Sequence, residues 1–243
     1  MKKIHLISIV LLCSFVYGQN TGILDKNYAN IDKNNAEFNQ EIYENNENSK
    51  NAESKKSFYA SGKIKSEIIL NSGKSKSNNK IVVNWYESGQ IKSVINYTND
   101  KYNGSLTTFW ENGNPRREDI YKMGKLIKGK CFDNNGNKTA YYNYEILPAF
   151  KGGLNSLYSF INNELKYPEE ALENDLTGKV IVYLTINEFG KIIATKIIKG
   201  STACLNNEAL RIVNKMPEWN AGKIDGESAK MEIGLPILFN IAD

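Results

Sequence analysis

The residue types that perform covalent or metal chemistry are scarce in this sequence, and their spacing does not suit it. The only histidine is His5, and the cysteines are Cys13, Cys131 and Cys204. A chain with no histidine after residue 5 cannot run a His-based triad or acid–base pair, and it cannot build the usual His-containing zinc site. Cys204 stands before a helical stripe, where a thiol pKa can fall, but no histidine or second cysteine lies near it. Asp25, Asp32, Glu37 and Glu41 are spread along a polar segment and read as solvated charge. There is no Gly-rich phosphate loop and no paired-carboxylate site. The sequence therefore predicts no enzyme, no catalytic residue, no metal and no cofactor. What it does offer is main-chain chemistry, in the stretch KMEIGLPILFNI over residues 230–241.

In that stretch Met231, Ile233, Leu235, Ile237, Phe239 and Ile241 are apolar and alternate with mostly polar or small residues. Period two over this length predicts a half-buried strand. Pro236 interrupts it without breaking the pattern. Backbone N–H and C=O groups of alternate residues point to opposite sides of a strand. A proline is therefore tolerated where its missing donor faces an unpaired edge. Pro236 thus places the strand at a sheet edge, with Lys230, Glu232 and Gly234 offering their main-chain groups outward. An exposed edge is a template for another strand. A partner pairing along 230–234 would lose register at Pro236, while a simpler role for the proline is to protect the edge from aggregation.

The elements that must hold this strand follow a change of pattern after Pro148. Leu154, Leu157, Tyr158 and Ile161 recur at helical spacing. Tyr167-Pro168-Glu169-Glu170 opens a second helix, with proline in the first turn and acidic residues at the positive helix end. Val180, Val182, Leu184 and Ile186 alternate along a strand that turns at Asn187–Gly190 into a second strand over 191–199. Leu205, Ala209, Ile212, Val213 and Met216 form another helical stripe, stopped by Pro217. Trp219 follows, placed for packing beneath the sheet, and Lys223, Asp225 and Glu227 flank a Gly222/Gly226 loop. The sum is an α+β domain over 147–243, a three-stranded antiparallel sheet with helices on one face.

Upstream, FYASGKIKSEIIL (58–70), WYESGQIKSVINY (85–97), FWENGNPRREDIY (109–121) and CFDNNGNKTAYYNY (131–144) align with one another. Their turn glycines, Gly62, Gly89, Gly113 and Gly136, are spaced 27, 24 and 23 residues apart. A period in this range predicts a repeat architecture. Each unit reads as a strand, a glycine turn and a second strand, so 58–144 is an all-β array of hairpins stacked into one sheet. SGKSKSNNK (72–80) reads as a loop insertion in the first interval. Residues 20–57 are polar and Asn-rich, read as a linker; a weak heptad from Leu24 to Ile42 leaves a short helix as the other reading.

The N-terminus bears on compartment. Lys2 and Lys3 precede an apolar run from Ile4 to Val16, the layout of a signal peptide over 1–19 cleaved near Gly18 or Gln19. The run of about 13 residues is shorter than the ~20 of a spanning helix. Leu12 is too large for lipoprotein processing at Cys13. Removing Lys2 and Lys3 turns the formal +4 into +2, with 29 Lys and Arg against 27 Asp and Glu. That balance gives no case for nucleic acid. Export permits a Cys131–Cys204 disulfide, but two cysteines so far apart make no framework and read as free thiols.

Two resemblances add to this reading. Trp85-Tyr86-Glu87-Ser88-Gly89 and Phe109-Trp110-Glu111-Asn112-Gly113, with Gly104 and Gly129 between turns, resemble the MORN repeat in its bacterial variant. Such repeats serve mostly as spacers or contact surfaces. Pro148-Ala149-Phe150-Lys151-Gly152-Gly153, Tyr167-Pro168 with Ala171, Gly178-Lys179-Val180, Gly190-Lys191, Glu208-Ala209-Leu210, Pro217-Glu218-Trp219 and Leu235-Pro236-Ile237-Leu238-Phe239 resemble, in order, the C-terminal domain of TonB-family proteins. Tyr167, Pro168, Gly178, Trp219 and Pro236 are then family-motif structural residues. The resemblance implies a periplasmic domain, possible membrane association, and capture of an extended outer-membrane receptor segment by strand addition, or β-augmentation.

Three functions follow as expectations. The first is a periplasmic TonB-like protein that binds extended segments of outer-membrane receptors or other envelope proteins, in the context of TonB-dependent transport. The second is a membrane-anchored energy transducer for such transport. The third is a structural envelope protein that binds through its repeats. The chain departs from a transducer in having a short leader, only five prolines and hairpins where a long spacer is expected. The same exposed edge would also allow a homodimer.

Overall fold

A computed structural model describes residues 42–45, 52–71 and 78–241. The leader reading of 1–19, and the linker or helix reading up to residue 41, lie outside the described residues. The chain divides between Tyr142 and Asn143 into two compact units.

The first unit is one antiparallel meander of nine strands in sequence order. They are β1 (Ile42–Asn45), β2 (Ala52–Phe58), β3 (Ile64–Asn71), β4 (Asn79–Trp85), β5 (Ile91–Thr98), β6 (Lys101–Phe109), β7 (Pro115–Lys122), β8 (Lys125–Phe132) and β9 (Lys138–Thr139). The array begins before residue 58, because β1 and β2 lie in the stretch read as linker. Asn79 and Lys80 belong to β4 rather than to the loop insertion. AESKKS looks unlike a strand because β2 earns its place by pairing with β3 from Ala52 to Phe58, not by hydrophobicity.

Four turns share one geometry, fixed by glycines at positive φ: Gly62, Gly89, Gly113 and Gly136. In each, the glycine N–H donates to the carbonyl of the residue three before it: Tyr59, Tyr86, Trp110 and Asp133 in order. The turn aromatics then stitch neighbouring repeats. Tyr59 Oη donates to the Trp85 carbonyl at 2.6 Å, Tyr86 Oη to Phe109 at 2.8 Å and Trp110 Nε1 to Phe132 at 3.1 Å. Six residues after each of these aromatics a cation lies over its ring: Lys65 over Tyr59, Lys92 over Tyr86 and Arg116 over Trp110. Pairing aligns Ile68, Val82, Ile95 and Leu106 in one row across the sheet, and Ile95 and Leu106 are buried.

The array ends on a buried ion pair. Arg117 and Asp119, on β7, are 0% and 1% exposed and meet at 2.9 Å. Arg117 also donates to the Tyr142 carbonyl, and its guanidinium faces the Tyr141 and Tyr142 rings. Tyr141 Oη donates to Asp119 at 3.1 Å. Gly129, opposite Asp119 on β8, makes room: a Cβ there would stand 2.3 Å from Asp119 Oδ1 and 2.4 Å from the Tyr141 ring.

The second unit runs β10 (Glu145–Ile146), α1 (Gly153–Glu164), α2 (Glu169–Glu173), β11 (Gly178–Ile186), β12 (Ile192–Lys199), α3 (Ala203–Asn214), β13 (Gly222–Ile224), β14 (Glu227–Ala229) and β15 (Met231–Phe239). The main sheet has the order β12-β11-β15, all antiparallel. One face of β11 (Val180, Val182, Leu184, Ile186) and one face of β15 (Ile233, Leu235, Ile237, Phe239) are buried in a core with Leu157 and Ile161 of α1, Ala171 of α2, and Leu205, Ala209, Ile212 and Val213 of α3. Each such Val, Leu, Ile or Phe side chain contributes about 1.5–3 kcal/mol by leaving water. The structure thus has the α+β unit with helices on one sheet face, after an all-β array. It also differs from the sequence reading in two places. Leu154 is 52% exposed and outside the core, since α1 buries only the Leu157/Ile161 stripe. The Gly222/Gly226 loop is a hairpin, turned by Asp225 and Gly226 at positive φ, in a second sheet β10-β13-β14.

Two expected outcomes test these packing arguments. Asp119→Ala leaves the buried Arg117 guanidinium without its carboxylate and should cost about 3 kcal/mol in urea unfolding, against a smaller loss for Asp119→Asn. Gly190, at φ +84°, would place a Cβ 1.9 Å from the Trp219 carbonyl oxygen. Gly190→Ala should therefore lower the melting temperature by more than about 5 °C.

Candidate binding edge

β11 and β15 pair without a register shift from Gly178/Phe239 to Ile186/Met231. Pro236 stands opposite Ile181 inside this ladder. Having no N–H to give, it must occupy a pair that exchanges no hydrogen bonds. The same parity then holds along the strand. Ile233, Leu235 and Ile237 bond to Leu184, Val182 and Val180. Glu232, Gly234 and Leu238 point their N–H and C=O groups away from β11. Among the described residues no strand pairs with that outer side.

Lys230 lies in the one-residue connection between β14 and β15, so the ladder offers 231–239 and not residue 230. Glu232 is exposed, opposite Thr185, whose hydroxyl donates to its carboxylate at 3.3 Å. Gly234 lies opposite Tyr183. A Cβ on Gly234 would stand 3.1 and 3.4 Å from the edge of the Tyr183 ring and 3.6 Å from Ile181 Cγ2. The ring therefore leans over the glycine on the face away from the helices.

The other long strands with an open side are guarded. β12 carries two bulges, at Ile193 and Ile198, where its register against β11 shifts. Bulges twist an edge away from new partners. Beyond Cys131 and Phe132, which pair with β9, β8 has an open side flanked by Lys125, Lys128 and Lys130. Lysine on an edge discourages pairing. β15 has neither a bulge nor a row of lysines.

The remaining motif residues buttress the sheet. Tyr167 Oη donates to the Leu176 carbonyl at 2.6 Å, and its ring meets Phe239 edge-on. Burial, with Cys204 nearby, raises the Tyr167 phenol above its ordinary pKa. Pro168 caps α2, its carbonyl accepting from Ala171 and Leu172. Gly178 passes so near Ser201 that a Cβ would stand 2.3 Å from its hydroxyl. Trp219 is buried edge-on to Phe150, its N–H donates to the Gly190 carbonyl, and its indole Nε1 has no hydrogen-bond partner among the described residues.

Sequence reasoning missed one polar clamp. Glu208 is buried and accepts from the Lys166 N–H and from Arg211, which also donates to the Glu164 carbonyl. Lys215 and Arg211 hold the Glu164 carboxyl below its usual range. The i,i+3 spacing of Glu208 and Arg211 on α3 was the available signal. Cys131 and Cys204 are both free thiols. Among the described residues no group of three His, Cys, Asp or Glu could hold a metal, and no helix is long and apolar enough to cross a membrane.

Neither a curated protein nor a solved structure matches the chain. Residues 55–70, 79–99 and 102–123 match the MORN repeat variant, which covers β2 through β7. Residues 163–241 match the C-terminal domain of the Gram-negative bacterial TonB protein, from the end of α1 through β15. The chain thus joins an array of MORN-variant repeats to a TonB-type C-terminal domain.

Proposed function

We propose that this protein is a TonB-like component of the cell envelope that captures an extended segment of an outer-membrane receptor, or another envelope protein, in the context of TonB-dependent transport. The captured segment adds to the outer side of β15. The observation that carries this reading is the contrast between edges: β15 is regular over nine residues and its outer side has no partner strand among the described residues, while β12 is bulged and β8 is flanked by lysines. Main-chain bonds at Glu232 and Gly234 supply affinity that does not depend on sequence. Pro236 has no donor, so pairing weakens there and limits how far a partner can zip toward Phe239. A second copy of this chain could use the same edge in competition with the receptor. The family match supports an envelope location and an envelope-protein partner.

Glu232→Pro removes one outward donor without touching the ladder to β11. The full chain and this variant, each immobilised and exposed to an outer-membrane extract, should differ. Outer-membrane receptors should be retained by the first and lost from the second, with unchanged circular dichroism. Equal retention by a folded variant would refute edge pairing.

A further inference from the structure

We propose that the edge of β15 carries its own selectivity, an apolar notch at Gly234 that takes a bulky apolar side chain of the added strand, with Glu232 beside it taking a basic one. The inference rests on the edge-binding reading and names the class of segment it accepts: an extended peptide with an apolar residue two positions from a lysine or arginine.

The notch follows from three residues. Gly234 has none, so the strand surface dips there. Tyr183 and Ile181, on the neighbouring strand, lean into the dip within 3.1–3.6 Å of where a Cβ would be. Both are half-buried, so part of each remains open. A residue at position 234 with a side chain would stand between Tyr183 and the free edge. Glycine leaves the ring reachable across β15 by the side chain opposite it on an added strand. Directly opposed side chains on an antiparallel pair lie about 4.5–5.5 Å apart at Cβ, within reach of the ring. Aromatic–aliphatic pairs of this kind are among the favourable cross-strand contacts.

The polar half of the pattern comes from charge complementarity. Glu232 shares its face with Gly234 two positions away and is exposed, and among the described residues its carboxylate accepts only the Thr185 hydroxyl, at 3.3 Å. A cation opposite Glu232 gains a cross-strand ion pair; an anion is repelled. On the other side of Gly234 lies buried Pro236, followed by half-buried Leu238, so the edge runs from acidic to apolar along its length.

The test uses the full chain and fluorescein-labelled heptapeptides in fluorescence anisotropy. The host is all threonine. One peptide carries leucine at the fourth position, and two more add lysine at the second or at the sixth. The leucine peptide should bind about fivefold tighter than the host, the upper end for one cross-strand pair. Only one of the two lysine peptides should gain further, and Glu232→Gln should erase that gain. Tyr183→Ala, which removes the wall, should bring leucine down to the host while leaving host binding unchanged, and Gly234→Ala, which fills the notch, should bring the leucine-to-host affinity ratio to about one. Two variants acting by opposite means guard against loss of fold. Equal binding of leucine and threonine peptides, or a leucine gain that survives both variants, would overturn the notch and leave edge pairing standing. No binding of any peptide, host included, would overturn the edge reading beneath it. Loss of all peptides in Glu232→Pro would show that the binding measured is at β15.

Discussion

The C-terminal unit depends on the two alternations of a β-strand having the same period. Side chains alternate between the faces of the sheet, and main-chain hydrogen-bonding groups alternate between its edges. In β15 the two are locked together. Odd residues send side chains into the core and bond to β11; even residues send side chains away from the core and leave their main chain at the open edge. A slip of one residue would force Pro236 into a hydrogen-bonded pair and turn Ile233, Leu235, Ile237 and Phe239 out of the core at once. It would also move Gly234 from beneath the Tyr183 ring. Hydrophobic burial, the missing proline donor and the glycine contact all demand one register. The free edge is the remainder of that single solution.

The array reaches its regularity differently, through contacts that each repeat makes with the next. A turn aromatic donates to a carbonyl one repeat later, and a cation six residues on covers its ring. At the fourth turn Asp133 replaces the aromatic. Its carboxylate turns inward and accepts from the Asn135 and Asn137 N–H groups of its own turn. With no next repeat to reach, the stitch stops. The Arg117–Asp119 pair then closes the end, with Tyr141 and Tyr142 supplying the contacts a further strand would have made. A buried ion pair is a weak source of net stability but penalises any arrangement that separates it. Here it marks where the sheet ends.

The long alternating segments were legible because burial on one face leaves period two in the sequence, and the four turn glycines because positive φ strongly favours glycine. Other features left no such trace. β2 is polar and held by pairing, so AESKKS read as linker. β10, β13 and β14 are two or three residues long, too short for periodicity, although Asp225-Gly226 carried a hairpin signal. The burial of Arg117 and Asp119 left no local signal because it depends on Gly129 and Tyr141, distant in the chain. Leu154 fell on the stripe of α1 by spacing alone. The edge position of β15 was legible in Pro236, yet the proposed notch was not, because it needs Tyr183 of another strand to face a glycine.

Pro236 bears on partner choice as well as on register. Two copies of β15 pairing antiparallel about Gly234 would set each Pro236 opposite Glu232 of the other copy. Those pairs face outward on both strands and would exchange two hydrogen bonds each, but proline supplies no donor, so each pair keeps one. A proline-free receptor segment loses only the donors missing from one side. The notch sharpens the difference. In the self-pair the residue opposite Gly234 is Gly234 itself, which places nothing against the Tyr183 ring. An apolar side chain at that position fills a contact the homodimer leaves empty. In the proposed edge binding, the same two residues that fix the strand in its sheet would thus favour a foreign strand over a second copy of the chain.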